Sequence, residues 1–149
     1  MLNQIKLFFE QHLALPGAEK STEEQLQLAS VALFMEMMVM DEIVDKKERG
    51  LILSMVQKNF SLTAERAEVL MAAAEEQRKQ ATDYYQFTSL INKSCSLDQK
   101  VRLIESLWRI AYADGKLDPQ EEYLVRKIAN LLYVPHVDFI MSKNRINSD

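Results

Sequence analysis

Glycine and proline are scarce in this chain, three of each among 149 residues. Folds rich in tight turns, such as β-sandwiches, draw on both, so the scarcity argues against an all-β chain. A single cysteine, Cys95, excludes an internal disulfide and fits a reducing compartment. The two histidines, His12 and His136, stand too far apart in sequence to offer a metal-ligand spacing. No glycine-rich phosphate loop and no nucleophile elbow is present. No apolar run approaches the ~20 residues that cross a bilayer. The opening stretch is interrupted by Lys6 and Glu10, so it reads as a helix face and not as a secretory signal. Basic charge is not in excess either. The net charge is −4 and the pI near 5.3, which disfavours broad contact with a nucleic-acid backbone. These absences describe a cytoplasmic protein with no transmembrane segment and no nucleic-acid partner.

What is abundant is helix-forming. Hydrophobic residues make up 48% and charged residues 27%, which suits one globular domain over 1–149. A first amphipathic helix is expected from Leu2 to about Ala14, with Leu2, Ile5, Phe9 and Leu13 on one face, stopped by Pro16-Gly17. Ser21 and Glu24 have capping-box spacing and open a second helix that runs to about Asp41. Asp45 and Glu48 repeat that spacing and open a third, with Leu51, Ile52, Met55, Val56 and Phe60 inward. Ser61-Leu62-Thr63 breaks the pattern. The next helix uses Ala67, Leu70, Met71 and Ala74 and ends in a polar run, Glu75 to Gln80, expected to be a solvated projection. Asp83 starts a helix holding Tyr84, Phe87, Leu90 and Ile91. Ser96 and Gln99 cap one with Leu97, Val101, Ile104, Trp108 and Ala111 inward. Asp118, with Pro119 at the first helical position, opens a helix that buries Leu124, Val125, Ile128, Leu131 and Leu132. A last helix starts near Pro135, with a tail expected to fray from Lys143.

The chain repeats itself. A shift of 73 positions carries Asp41 onto Asp114, Asp45 onto Asp118 and Glu48 onto Glu121. The same shift pairs Val31 with Ile104, Phe34 with Leu107 and Met37 with Ile110. Downstream it pairs Leu51 with Leu124, Ile52 with Val125 and Met55 with Ile128. The unit is helix, acidic loop, helix, present twice, and neither copy can bury its apolar face alone. The expected fold is all-α, a compact bundle of about seven helices from two pseudo-symmetric halves.

Two readings of the acidic loops stand side by side. In the structural one, Asp45 and Asp118 are N-caps, with Glu48 and Glu121 as capping-box partners. In the other, Asp41 and Asp114 lie at helix C-terminal ends, where a negative charge is disfavoured by ~0.3–1 kcal/mol and calls for a compensating cation. Asp114, Asp118 and Glu121, with Asp41, Asp45 and Glu48 as the partner set, would then give an oxygen-rich site for Ca²⁺ or Mg²⁺. The spacing is too short for an EF-hand. Gly115 can adopt the left-handed conformation where the first loop has Glu42, so the second loop is the more regular. The dense Met35, Met37, Met38 and Met40 read as core or an adaptable partner surface, and Cys95 as a passive thiol.

Ala113-Asp114-Gly115, then Asp118 and Glu121, followed by an amphipathic helix and preceded by a degenerate copy, resembles the TerB-like family, named for a bacterial tellurite-resistance protein. The resemblance spans roughly residues 22 to 142. It implies an all-α fold of about seven helices and acidic residues proposed to bind metal. It also implies a tellurite or stress-response role linked to membrane-associated complexes. The first copy departs from the pattern, reading Met40-Asp41-Glu42. The resulting expectation is a non-catalytic module that binds a protein partner. The alternatives are a Mg-dependent enzyme using the acids, or a scaffold in which they are only caps. Oligomeric state is left open.

Overall fold

The computed structural model describes residues 22–39, 46–81, 83–113, 115 and 117–147, the side chains of 22, 46 and 47 excepted. Seven helices occur among the described residues: α1 (Thr22–Val39), α2 (Lys46–Phe60), α3 (Ala64–Gln80), α4 (Tyr85–Ser94), α5 (Leu97–Ala111), α6 (Pro119–Leu131) and α7 (His136–Asn147), with no strand. The expected helix over 2–14, the Ser21 cap and Asp45 fall outside those residues.

α1 and α5 form the centre, side by side. α1 is apolar on nearly every side, so it is covered by α2, α3, α4 and α5. Val31, Phe34 and Met37 are at most 1% exposed, and so are their repeat mates Ile104, Leu107 and Ile110. Ile52 and Val125 are both fully buried. The repeat is therefore a repeat of burial as well as of sequence. Helix pairing follows it: α1 meets α2 and α3 as α5 meets α6 and α7. Met35, Met37 and Met38 all lie in the core, which decides for packing over a partner surface at those three positions.

Local chemistry sets the helix ends. Ser96 accepts from the Gln99 amide while Gln99 reaches back to the Ser96 amide, a complete capping box. Thr63 accepts from the Arg66 amide and starts α3. α2 and α6 stop without glycine. The Leu62 amide donates to the Gln57 carbonyl and the Val134 amide to that of Ala129, bonds that close Schellman turns. Ser61 and Tyr133 occupy the left-handed positions, at φ 55° and 56°. Such a conformation is costly for a bulky side chain.

Three expectations fail. The run from Glu75 to Gln80 is not a solvated projection. Arg78 donates to Glu75 through Nε and Nη2 and to Glu36 of α1 through Nη1, with its side chain only 17% exposed. The polar run is thus a tie between α3 and α1. The tail does not fray at Lys143. α7 continues to Asn147 because Lys143 pairs with Glu122 at 3.2 Å and Arg145 with Glu105 at 2.7 Å, while Phe139 stacks on Trp108 at 5.3 Å. Leu97 is exposed, since the first turn of α5 extends past the core, and burial begins only further along the helix.

Candidate functional site

The second acidic loop grows from the end of α5. Tyr112 closes that helix, and the Ala113 and Gly115 amides donate to the Ile110 and Tyr112 carbonyls. Gly115 takes φ +82°, the left-handed turn expected of it. Asp118 is the N-cap of α6, and Pro119 follows it. Its Oδ1 accepts from the Gln120 amide at 2.8 Å, one residue earlier than the capping-box pattern places the bond. Asp118 Oδ2 is not part of that bond. Glu121, in the first turn, is 2% exposed, and its repeat mate Glu48, in the first turn of α2, is 4% exposed. Burying a carboxylate is expensive unless it is compensated. The positive end of each helix dipole contributes here, and neither glutamate is without a partner. Capping alone does not require such burial. The repeat thus places two acids at equivalent, shielded positions. Asp41, Asp45 and Asp114 lie outside the described residues. Among the described residues no three His, Cys, Asp or Glu side chains gather as a metal-ligand group.

A second charged cluster carried no sequence signal. Glu36 of α1 meets Arg78 of α3 at 3.0 Å. Tyr84 also faces Glu36, and Lys127 of α6 lies over the Tyr84 ring at 5.2 Å. The hydrogen bonds that Arg78 donates to Glu75, and then the one it donates to Glu36, hold its proton well beyond the usual arginine range, with burial opposing. Burial first, then the charge and hydrogen bond of Glu36, push the Tyr84 hydroxyl up, with Arg78 opposing. A glutamate, an arginine and a tyrosine from separate elements share no spacing, so no sequence pattern could have announced them.

A cleft of about 500 Å³ opens between the start of α1, the end of α2 and α5. Leu26, Phe34, Phe60 and Leu103 give it apolar walls, with exposed Arg102 and Arg109 beside them. Asp118, Glu121 and Glu48 do not line it. Cys95, the C-cap of α4, does. Burial pushes its thiol up, against a smaller pull from Lys100, which disfavours the thiolate. His136 is exposed at the start of α7 and stacks near Phe139.

The opposite character appears around α7. Tyr133, Val137 and Met141 are 77%, 63% and 51% exposed. They recur every fourth residue, so Val137 and Met141 share one helix face and Tyr133 leads into it. The left-handed backbone at Tyr133 turns the chain into α7.

These elements define an all-α bundle of two sequence-related helix–acidic loop–helix units. Residues 27–144 match the profile of the family described as tellurite resistance protein TerB, and the chain belongs to that family. A crystal structure of a protein of unknown function from Porphyromonas gingivalis has the same fold. The TM-score is 0.63 at 18% identity, over 85% of this chain and 96% of that one. No curated protein matches the sequence.

Proposed function

We propose that this TerB-family chain is a non-catalytic module that acts by binding another protein, through the Tyr133, Val137 and Met141 face. The observation that carries the reading is that strip: three large apolar side chains exposed in series, led by a tyrosine held in a costly conformation. Strain of this kind collects at functional positions, and a run of exposed apolar surface marks an interaction site. The described cleft lies away from Asp118, Glu121 and Glu48, where an enzyme using those acids would need one. No described helix is long and apolar enough to cross a membrane, so contact with a membrane-associated complex would go through a protein partner. A cytoplasmic role in tellurite or stress response is the expectation the family name brings.

A divalent cation at the acidic loops is the accompanying proposal. The donors suit Ca²⁺ or Mg²⁺: Asp118 retains Oδ2 after capping, Glu121 is in the same turn, and Asp114 and loop carbonyls supply further oxygens. The Asp41, Asp45 and Glu48 set is its weaker counterpart.

Each proposal has its own test. A photo-reactive residue at position 141 should trap one defined protein in cells, and Val137→Glu should abolish the product. Trapping that Val137→Glu leaves intact refutes the face. Calorimetric titration of Ca²⁺, Mg²⁺, Mn²⁺ and Zn²⁺ should give heat that Asp114→Asn loses. No heat at millimolar metal removes the cation. Asp118→Ala and Asp118→Asn separate cap from ligand. Asparagine caps as well as aspartate, so only alanine should cost ~1 kcal/mol of stability, while both should weaken metal.

A further inference from the structure

Most arginines of this acidic chain are tied to a carboxylate. Arg49, Arg78, Arg126 and Arg145 each have an ion pair. Arg102 and Arg109 have none among the described residues, and both line the cleft of about 500 Å³ between α1, α2 and α5. They stand two turns apart on α5 and so share one helix face. Two carboxylates line the cleft as well. Glu105 is already answered by Arg145 at 2.7 Å. That leaves Glu23, exposed in the first turn of α1, against two guanidiniums. The rim therefore carries an excess of positive charge.

Below the rim the cleft is apolar. Phe34 and Leu103 are 1% and 9% exposed and form its floor, with Leu26 and Phe60 as walls. The polar groups among them are used on each other, since Asn59 Nδ2 donates to Ser106 Oγ at 3.5 Å. An apolar cavity of this size with a few charged groups at one side suits a small molecule. The guanidinium fork matches a carboxylate or a phosphate. A phosphate monoester brings a charge of roughly −1.5 to −2 at neutral pH, more than this rim offsets, so a carboxylate is favoured.

We infer that the cleft binds a small amphipathic carboxylate. Its hydrocarbon body lies against Leu26, Phe34, Phe60 and Leu103, and its head is held by Arg102 and Arg109. The site is separate from the Tyr133, Val137 and Met141 face. Octanoate is titrated into the full chain by calorimetry, with octanol and octyltrimethylammonium as its neutral and cationic counterparts. Reaction of Cys95, which lines the cleft, with a maleimide reports where the molecule sits. Octanoate should bind saturably and slow that reaction. Arg102→Gln with Arg109→Gln should weaken binding by about tenfold or more, as should replacing the carboxylate with a hydroxyl or a cation. The unfolding midpoint of the double variant should not move, because both side chains are exposed. No saturable binding, equal binding of octanol, or a double variant that binds as tightly as the unaltered chain overturns the inference. Binding that leaves Cys95 labelling unchanged, or that Val137→Glu removes, puts the molecule elsewhere and overturns it too.

Discussion

Arg78→Met tests whether the tie between α3 and α1 is structural. The substitution keeps an apolar stem and removes the guanidinium that bonds Glu75 at 2.7 and 3.1 Å and Glu36 at 3.0 Å. Two carboxylates then face each other on surfaces only 19% and 24% exposed. Breaking a fully buried pair from one side costs ~3–5 kcal/mol, since the remaining charge stays desolvated. Partial exposure lets water recover some of this, so ~2 kcal/mol is expected here. For a chain of this size that is roughly 4–8 °C in the thermal midpoint. Arg49→Met is the internal control. Its bidentate pair with Glu68 is as short, at 2.6 Å, but both side chains are more than 40% exposed. Its loss should cost under ~1 kcal/mol and shrink further with salt. Adding Glu36→Gln to Arg78→Met should restore part of the lost stability by removing one orphaned charge. Thermal or denaturant unfolding followed by circular dichroism reads all four proteins. Equal losses at Arg78 and Arg49, or a further loss on adding Glu36→Gln, would show that burial does not govern this cluster.

Gly115→Ala should destabilise by ~1 kcal/mol through backbone strain alone, because its φ is +82° and a Cβ there meets nothing within 4 Å; an unchanged denaturation midpoint refutes this. Tyr133→Gly relieves the opposite defect, so stability should rise by ~0.5–1 kcal/mol while cross-linking to the partner falls, and the two effects are read on one protein. Phe139→Ala removes the ring that joins α7 to Trp108 and should cost ~3–5 kcal/mol in denaturant unfolding. Raising the pH should weaken the fold. Cys95 and Tyr84 both have folded pKa values above their ordinary 9.0 and 10.0, so stability is full below about pH 9 and falls as the unfolded chain releases protons the folded one keeps. Cys95→Ala should remove the lower part of that slope and Tyr84→Phe the upper part, measured as unfolding midpoint against pH.

The architecture could be read from the sequence because its information is local and repeated. Ser96 and Asp118 announce helix starts through side-chain oxygens, and the three-and-four spacing of apolar residues names the inward faces. The 73-residue shift then pairs those faces, and burial follows the pairing down to Val31 with Ile104. Where reading failed, the determinant was a distant partner. Arg78 looks solvated until Glu36 of another helix lies beside it, 42 positions away. The tail looks free until Glu122 and Glu105 reach Lys143 and Arg145. Ser61 and Tyr133 give no hint of a left-handed turn, because the tertiary arrangement imposes a conformation that their side chains disfavour.

The acidic loops were legible only in part, for a physical reason. A carboxylate at a helix start satisfies backbone donors, faces the positive end of the dipole and can also hold a cation, and all three roles select the same residue types. Spacing alone therefore cannot separate them. Burial begins to. A capping glutamate works as well in water as out of it, yet Glu48 and Glu121 are 4% and 2% exposed at equivalent positions. That cost is incurred twice, by a repeat in which apolar mates often differ, as Phe34 from Leu107 or Met55 from Ile128. The shielding means that whatever offsets these charges acts at low dielectric, where one added or lost positive neighbour weighs far more than at the surface. A cation bound beside Glu121, in the first turn of α6, would therefore act on the contact between α6 and α5. The Tyr133, Val137 and Met141 strip begins at the other end of that same α6.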